Sequence, residues 1–220
     1  MPNPTPRPKW SGSGTPPKGW WNDSRRPHGE HLSRAQVDAL IETARHTGRK
    51  GDRDALIIRT SFVHGLRVTE AANLLIEQFD FRDETVKMLR VKRGKNTTHH
   101  LEPKDLKAIR AHIGDRRNGP VFLNERLTAF DESSLHKIIR RAGDNATITV
   151  VDPETREKRE EPYFNFPVHF HMLRHACGYW MNDQGIPIRV IQDWLGHRNI
   201  RHTEQYTANS PEAFKRVHFG

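Results

Sequence analysis

From Leu32 to Tyr206 the apolar residues recur mostly at helical spacing, with a change to strand spacing near Thr85. That pattern predicts a mainly α fold with a small antiparallel β-sheet. Ser33 can cap a helix that carries Val37, Leu40, Ile41 and Ala44 on one stripe, and a second helix over 52–64 places Leu56, Ile57 and Phe62 inside. Thr69 is the expected cap of a third, with Ala71, Ala72, Leu74 and Leu75. Thr85 to Val91 then reads as a strand, Lys92 to Asn96 as a turn, and Thr97 to Leu101 as the returning strand. Pro103 opens a helix to Ile113, Val121 to Leu123 is a short apolar run, and a further helix spans Asp131 to Ala142. Two extended runs flank a charged turn in 144–166, which suits a hairpin. Helices over 170–184, 187–195 and 201–208 complete the domain.

Residues 1–30 break this pattern. They are rich in Pro, Gly, Ser and basic residues, bury too little to offset chain entropy, and read as a disordered tail ahead of one domain over 31–220. Trp10, Trp20 and Trp21 are stray aromatics within it. The net charge of +9 favours a polyanionic partner, either nucleic acid or an acidic membrane surface. No apolar run is long enough for a transmembrane helix, and the first residues lack the apolar core of a signal peptide. Cys177 is the single cysteine, which excludes an intrachain disulfide and suits a reducing cytoplasm; it reads as a small buried residue.

The chemistry lies between His171 and Tyr206. The order is His171-Met-Leu-Arg174-His175, then Leu195-Gly196-His197, then Tyr206, with a second block upstream at Gly65-Leu-Arg67-Val-Thr-Glu70. Arginines can neutralise the non-bridging oxygens of a phosphodiester, histidines can hydrogen-bond them or handle a proton, and a phenol can be the nucleophile. Helical spacing puts His171, Arg174 and His175 on one face. The His171–His175 spacing also suits zinc, but Met172 stands where a zinc protease has its glutamate, so no metal is expected. Of the three tyrosines, Tyr179 lies in an apolar stretch and is expected in the core, Tyr163 lies in the 144–166 segment, and Tyr206 lies in a polar segment where a phenol could reach solvent.

Together these motifs resemble the tyrosine recombinase (phage integrase) family, and within it the small fimbrial phase-variation recombinases, over roughly residues 31–210. The run from Ile191 to Thr203 is similar to theirs over its length. The resemblance implies a tyrosine recombinase catalytic-domain fold and a site-specific DNA recombinase that needs neither metal nor cofactor. By it, Tyr206 is the nucleophile and forms a 3′-phosphotyrosyl bond, with Arg67, His171, Arg174 and His197 around the phosphate. Lys92 on the basic hairpin is the expected general acid, with Lys95 as the alternate, and Glu70 is ancillary. Arg93, Lys95, Arg198 and Arg201 are the cations expected to meet DNA. The implied partner is double-stranded DNA, bound by a homotetramer across two sites, with accessory DNA-bending proteins and a cytoplasmic, nucleoid-associated location in a bacterium. Family members cross the 144–166 gap in fewer residues, so that segment reads as an insertion. The larger members carry a separate N-terminal DNA-clamping domain that residues 1–30 are too few to replace, which predicts salt-sensitive binding. A topoisomerase-like relaxase and a catalytically silent DNA-binding regulator remain alternatives.

Overall fold

The computed structural model describes residues 31–91, 94–152 and 154–206. Helix α1 (Arg34–His46) starts at the expected cap. The Gln36 N–H donates to the Ser33 hydroxyl at 3.2 Å, and the Ser33 N–H donates to the Gln36 side chain at 2.8 Å. This reciprocal pair satisfies two N–H groups that a first turn leaves bare. The buried stripe of Val37, Leu40, Ile41 and Ala44 packs on α2 (Gly51–Val63). Helix α2 buries Ala55, Leu56, Ile57, Ile58 and Phe62 and is covered from several sides, so the charge it buries at Asp54 needs partners. Arg53 and Arg141 hold that carboxylate at 2.9 and 2.6 Å.

Helix α3 (Val68–Ala72) is shorter than expected, and its N-cap is Arg67, not Thr69. Its cap comes from within, because the Arg67 N–H donates to the Glu70 carboxylate at 3.0 Å. The Thr69 hydroxyl instead donates to Glu132, at 2.6 Å. Strands β1 (Phe79–Asp80), β2 (Thr85–Met88) and β3 (Thr97–His100) form one antiparallel sheet in that order, with Phe79 opposite Val86 and Val86 opposite His99. Strand β1 is too short to show a period in sequence. Strand β2 ends at Met88 instead of Val91, and the Arg90 N–H donates to the Asn96 side chain at 2.9 Å. Lys92 and Arg93 lie outside the described residues.

Helix α4 (Pro103–Ile113) and helix α5 (Glu132–Asn145, capped by Asp131) stand where the pattern puts them. A second hairpin of β4 (Thr147–Val151) and β5 (Lys158–Pro162) follows and is exposed along nearly its whole length. Helices α6 (His171–Asp183), α7 (Ile188–Leu195) and α8 (Arg201–Glu204) close the domain, α6 against α2 and α7 against α6. Among the described residues no helix is long and apolar enough to cross a membrane.

One buried polar pair makes stability depend on pH. His64 and His99 share a hydrogen bond between their Nδ1 atoms at 3.1 Å, and the His99 ring stacks on Trp194 at 3.7 Å. One nitrogen must donate and the other accept, so double protonation breaks the contact. Burial, then the Arg90 charge, pushes His64 down from 6.5 to about 3; burial, then His64 and Arg90, pushes His99 to about 2. The unfolded chain therefore takes up protons below about pH 6.5 while the native pair does not, so this stability is complete above that pH and lost as pH falls towards 3. At pH 5.5 the loss is on the order of 1 kcal/mol for one such histidine. Thermal melting at pH 7.5 and 5.5 should show a lower midpoint at the acid pH; equal midpoints would contradict the assignment.

Candidate active site

The site is built around the turn at Gly65. This residue has φ of 57°, and a Cβ there would run into the Leu195 side chain and lie 3.4 Å from Cys177 Sγ, so α2, α6 and α7 can meet only over a glycine. The approach brings two carbonyls to Arg174. Its Nη1 donates to the Gly65 carbonyl at 2.5 Å and its Nη2 to the Leu195 carbonyl at 2.6 Å. Arg174 is 1% exposed. Burial, then Arg67 and Arg90, pushes its pKa down to about 10, with Glu70 and Tyr206 opposing, so it stays cationic at neutral pH.

Arg67 is half-buried at the start of α3, and its Nη1 donates to Glu70 at 2.8 Å. Glu70 lies in the first turn of α3 and accepts from both the N–H and the side chain of Arg67. Burial would raise its pKa, but the ion pair with Arg90 at 2.8 Å and the Arg67 hydrogen bonds bring it below the ordinary carboxylate range. His171 opens α6 and keeps an exposed face; crowding of the rest of its ring, then Arg174 and Arg67, lowers it to about 4. His197 follows Gly196 and is buried, with Nδ1 2.9 Å from the Thr203 hydroxyl. Burial, then Arg174 and Arg67, lowers it to about 3. Both histidines are neutral at pH 7. His175 shares the His171 face, its ring edge-on at 4.5 Å. Among the described residues no third ligand joins them to hold a metal.

Tyr206 departs from the expected exposure. It is 1% exposed, lying in a slot over Gly178, where a Cβ would come within 2.6 Å of the ring. The ring lies parallel to His197 at 6.4 Å, edge-on to Tyr179 at 5.1 Å, and its hydroxyl is 3.5 Å from His175 Nδ1. Burial pushes its pKa up to about 12, opposed by Arg174. Tyr179, expected in the core, is instead half-buried and donates its hydroxyl to the Gln205 carbonyl at 3.2 Å. The polar composition around Tyr206 belongs to its neighbours: Glu204 and Gln205 face outward while the short helix turns Thr203 and Tyr206 in.

An open basin of about 730 Å³ adjoins His197 and is lined by Lys95, Arg189, Gln192, Asp193 and Arg198. Lys95 is exposed and pairs with Asp193 at 2.8 Å. Arg198 and Arg201 are exposed. Sequence reasoning missed Arg90 as a member of the site, although strand alternation from Val86 through Met88 points it inward. Cys177 is buried, and burial pushes its thiol up to about 12. Iodoacetamide at pH 8 should therefore leave the native protein unmodified and label it once in denaturant; rapid native labelling would contradict that burial.

The guanidinium groups of Arg67 and Arg174, the imidazoles of His171 and His197, and the phenol of Tyr206 in its slot thus lie around one turn. The chain belongs to the phage integrase family, whose model matches residues 30–213. It is 32% identical to the type 1 fimbriae regulatory protein FimB of Escherichia coli K12 over 189 residues, covering 83% of this chain and 86% of that protein. It is equally identical, at 32%, to FimE of the same strain, covering 84% and 88%. The fold matches the XerA recombinase with a TM-score of 0.65 at 24% identity, covering 86% of this chain and 66% of that one. It also matches the XerH site-specific recombinase bound to its difH substrate, with a TM-score of 0.62 at 18% identity, covering 84% and 52%. The chain thus spans between half and two thirds of these solved recombinases.

Proposed function

We propose that this protein cuts and rejoins double-stranded DNA at specific sites through a 3′-phosphotyrosyl bond to Tyr206. The observation that carries the reading is the convergence of Arg67, Arg174, His171 and His197 beside Tyr206, with Arg67 acting electrostatically on the other three cationic or imidazole groups. Arg67 and Arg174 bind the non-bridging oxygens of the scissile phosphate. His171 and His197, neutral at working pH, hydrogen-bond the same phosphate, and the Thr203 contact fixes the His197 ring for that task. The phenol passes its proton to a neutral imidazole of the site, His171 or His197, its oxygen attacks phosphorus, the bond to the 5′-oxygen breaks, and the leaving oxygen takes a proton from Lys92 or Lys95. Religation reverses these steps, so the phosphoester bond energy is conserved. Arg93, Lys95, Arg198 and Arg201 position the backbone without reading sequence.

In the described state the phenol sits in its slot and holds its proton tightly. Cleavage therefore requires the ring to leave the Gly178 slot for the phosphate between the two arginines. The family membership supports DNA as the partner, and two sites held by four subunits, with accessory bending proteins, is the assembly we infer for strand exchange. Inversion or integration of a DNA segment is the outcome we infer.

The test uses a plasmid carrying two inverted copies of the DNA that flanks the gene. Inversion of the intervening segment is the expected result. Relaxation without regard to site would favour the topoisomerase-like reading, and binding with no covalent adduct would favour a silent regulator.

A further inference from the structure

Among the described residues, Arg90 is the one buried cation near the site to which the reaction scheme gives no part. Its side chain is fully enclosed. The guanidinium donates to the Glu70 carboxylate at 2.8 Å, to the His64 carbonyl at 3.0 Å, to the Trp194 carbonyl at 2.5 Å, and more weakly to the Gly65 carbonyl at 3.5 Å. Its Nε is buried without a partner. A buried ion pair gives up hydration that its Coulomb attraction repays only with good geometry, and apolar residues of similar size often serve stability as well or better. Packing alone therefore does not account for an arginine here.

What the guanidinium joins is informative. Arg174 is anchored on the carbonyls of Gly65 and Leu195; Arg90 holds Gly65 and Trp194, the same turn and the residue beside the other anchor. Through Glu70 it also holds the carboxylate that orients Arg67. Its own N–H is tied to Asn96 across the basic turn. The neighbouring backbone fits its stem closely: a Cβ on Gly196 would lie 2.6 Å from Arg90 Cγ, and one on Gly94 would lie 2.6 Å from Arg90 Cβ.

We propose that Arg90 is a positioning residue for DNA cleavage, a buried clasp that sets Arg67, through Glu70, and Arg174, through the Gly65 and α7 carbonyls, at the spacing one phosphate requires. The inference rests on the recombinase reading above. It makes a claim that a purely structural role does not: the defect of an Arg90 variant depends on the charge of the scissile phosphate, because the two arginines that it positions act on that charge.

The experiment compares the wild type with Arg90→Lys and Glu70→Gln, using DNA with either a normal or a methylphosphonate scissile linkage, which removes the negative charge. Arg90→Lys keeps the charge but not the planar fork, and Glu70→Gln opens the clasp from its other side should the lysine variant fail to fold. On the phosphodiester, single-turnover cleavage at saturating DNA should fall by roughly 100-fold, as for loss of a preorganised donor, with DNA affinity within about threefold. On the methylphosphonate, the variants should come within about tenfold of wild type. Unchanged cleavage of the phosphodiester, or an equal defect on both linkages, overturns the proposal while leaving the recombinase reading intact. If the wild type itself forms no adduct with Tyr206 on either linkage, that reading fails and this inference goes with it.

Discussion

Arg174→Ala should lower single-turnover DNA cleavage by a factor of about 100–1,000 while DNA binding weakens only modestly. The reason is the way this guanidinium is held. Two of its N–H groups are fixed on the carbonyls of Gly65 and Leu195, so its charge is held in place and need not reorganise when charge builds on the phosphate. A lysine at this position would keep the charge but could not span both carbonyls and a phosphate, so Arg174→Lys should also lose most of the rate. Truncation to alanine also removes the Arg174 donor from the Leu195 carbonyl and leaves the Gly65 carbonyl only the weaker Arg90 contact, at a cost of about 1–3 kcal/mol for a carbonyl left unpaired. The melting temperature must therefore be measured beside the rate, and cleavage compared well below the variant's midpoint. Gel shift and quenched cleavage on the same DNA separate the effects. An alanine variant that is folded and cleaves within about threefold of wild type would remove Arg174 from the chemistry.

Tyr206→Phe should abolish the covalent adduct altogether and leave the fold and DNA binding in place. The ring is held by its slot over Gly178 and by the edges of neighbouring rings, and these contacts survive without the hydroxyl. The hydroxyl's hydrogen bond to His175 is long, at 3.5 Å, so its removal should change stability by no more than about 1 kcal/mol. An adduct formed by the phenylalanine variant would move the nucleophile to Tyr163 or Tyr179. The second of these lies close by, with its hydroxyl on the Gln205 carbonyl.

The helices were legible because each carries a local signal: the Ser33–Gln36 capping pair, Pro103 at the start of α4, Asp131 ahead of α5. The residues expected at the site stand out in sequence as short-range motifs, His171, Arg174, His197 and Tyr206 among them, and the structure brings these near one turn together with Arg67 and Glu70. What sequence could not show depends on pairs distant along the chain. Tyr206 is buried because Gly178, on another helix, leaves room for its ring, and nothing in the polar segment around Tyr206 encodes that slot. Arg90 was read as part of a basic hairpin, and only the carbonyls of His64 and Trp194 and the carboxylate of Glu70 turn it into an interior residue. The cap of α3 moved from Thr69 to Arg67 because Glu70 satisfies the Arg67 N–H, a competition that residue preference alone does not resolve. The roles of Lys92 and Arg93 rest on resemblance, since both lie outside the described residues.

Metal-free attack by one tyrosine is tested most directly by trapping and mapping the bond it forms. The wild-type protein is incubated with DNA flanking the gene in EDTA, quenched with SDS, digested with protease, and the DNA-linked peptide sequenced by mass spectrometry. The account predicts a covalent adduct formed in EDTA, with the 3′-phosphate on Tyr206. A DNA-bound protein that yields no adduct, or an adduct on any other residue, would contradict it.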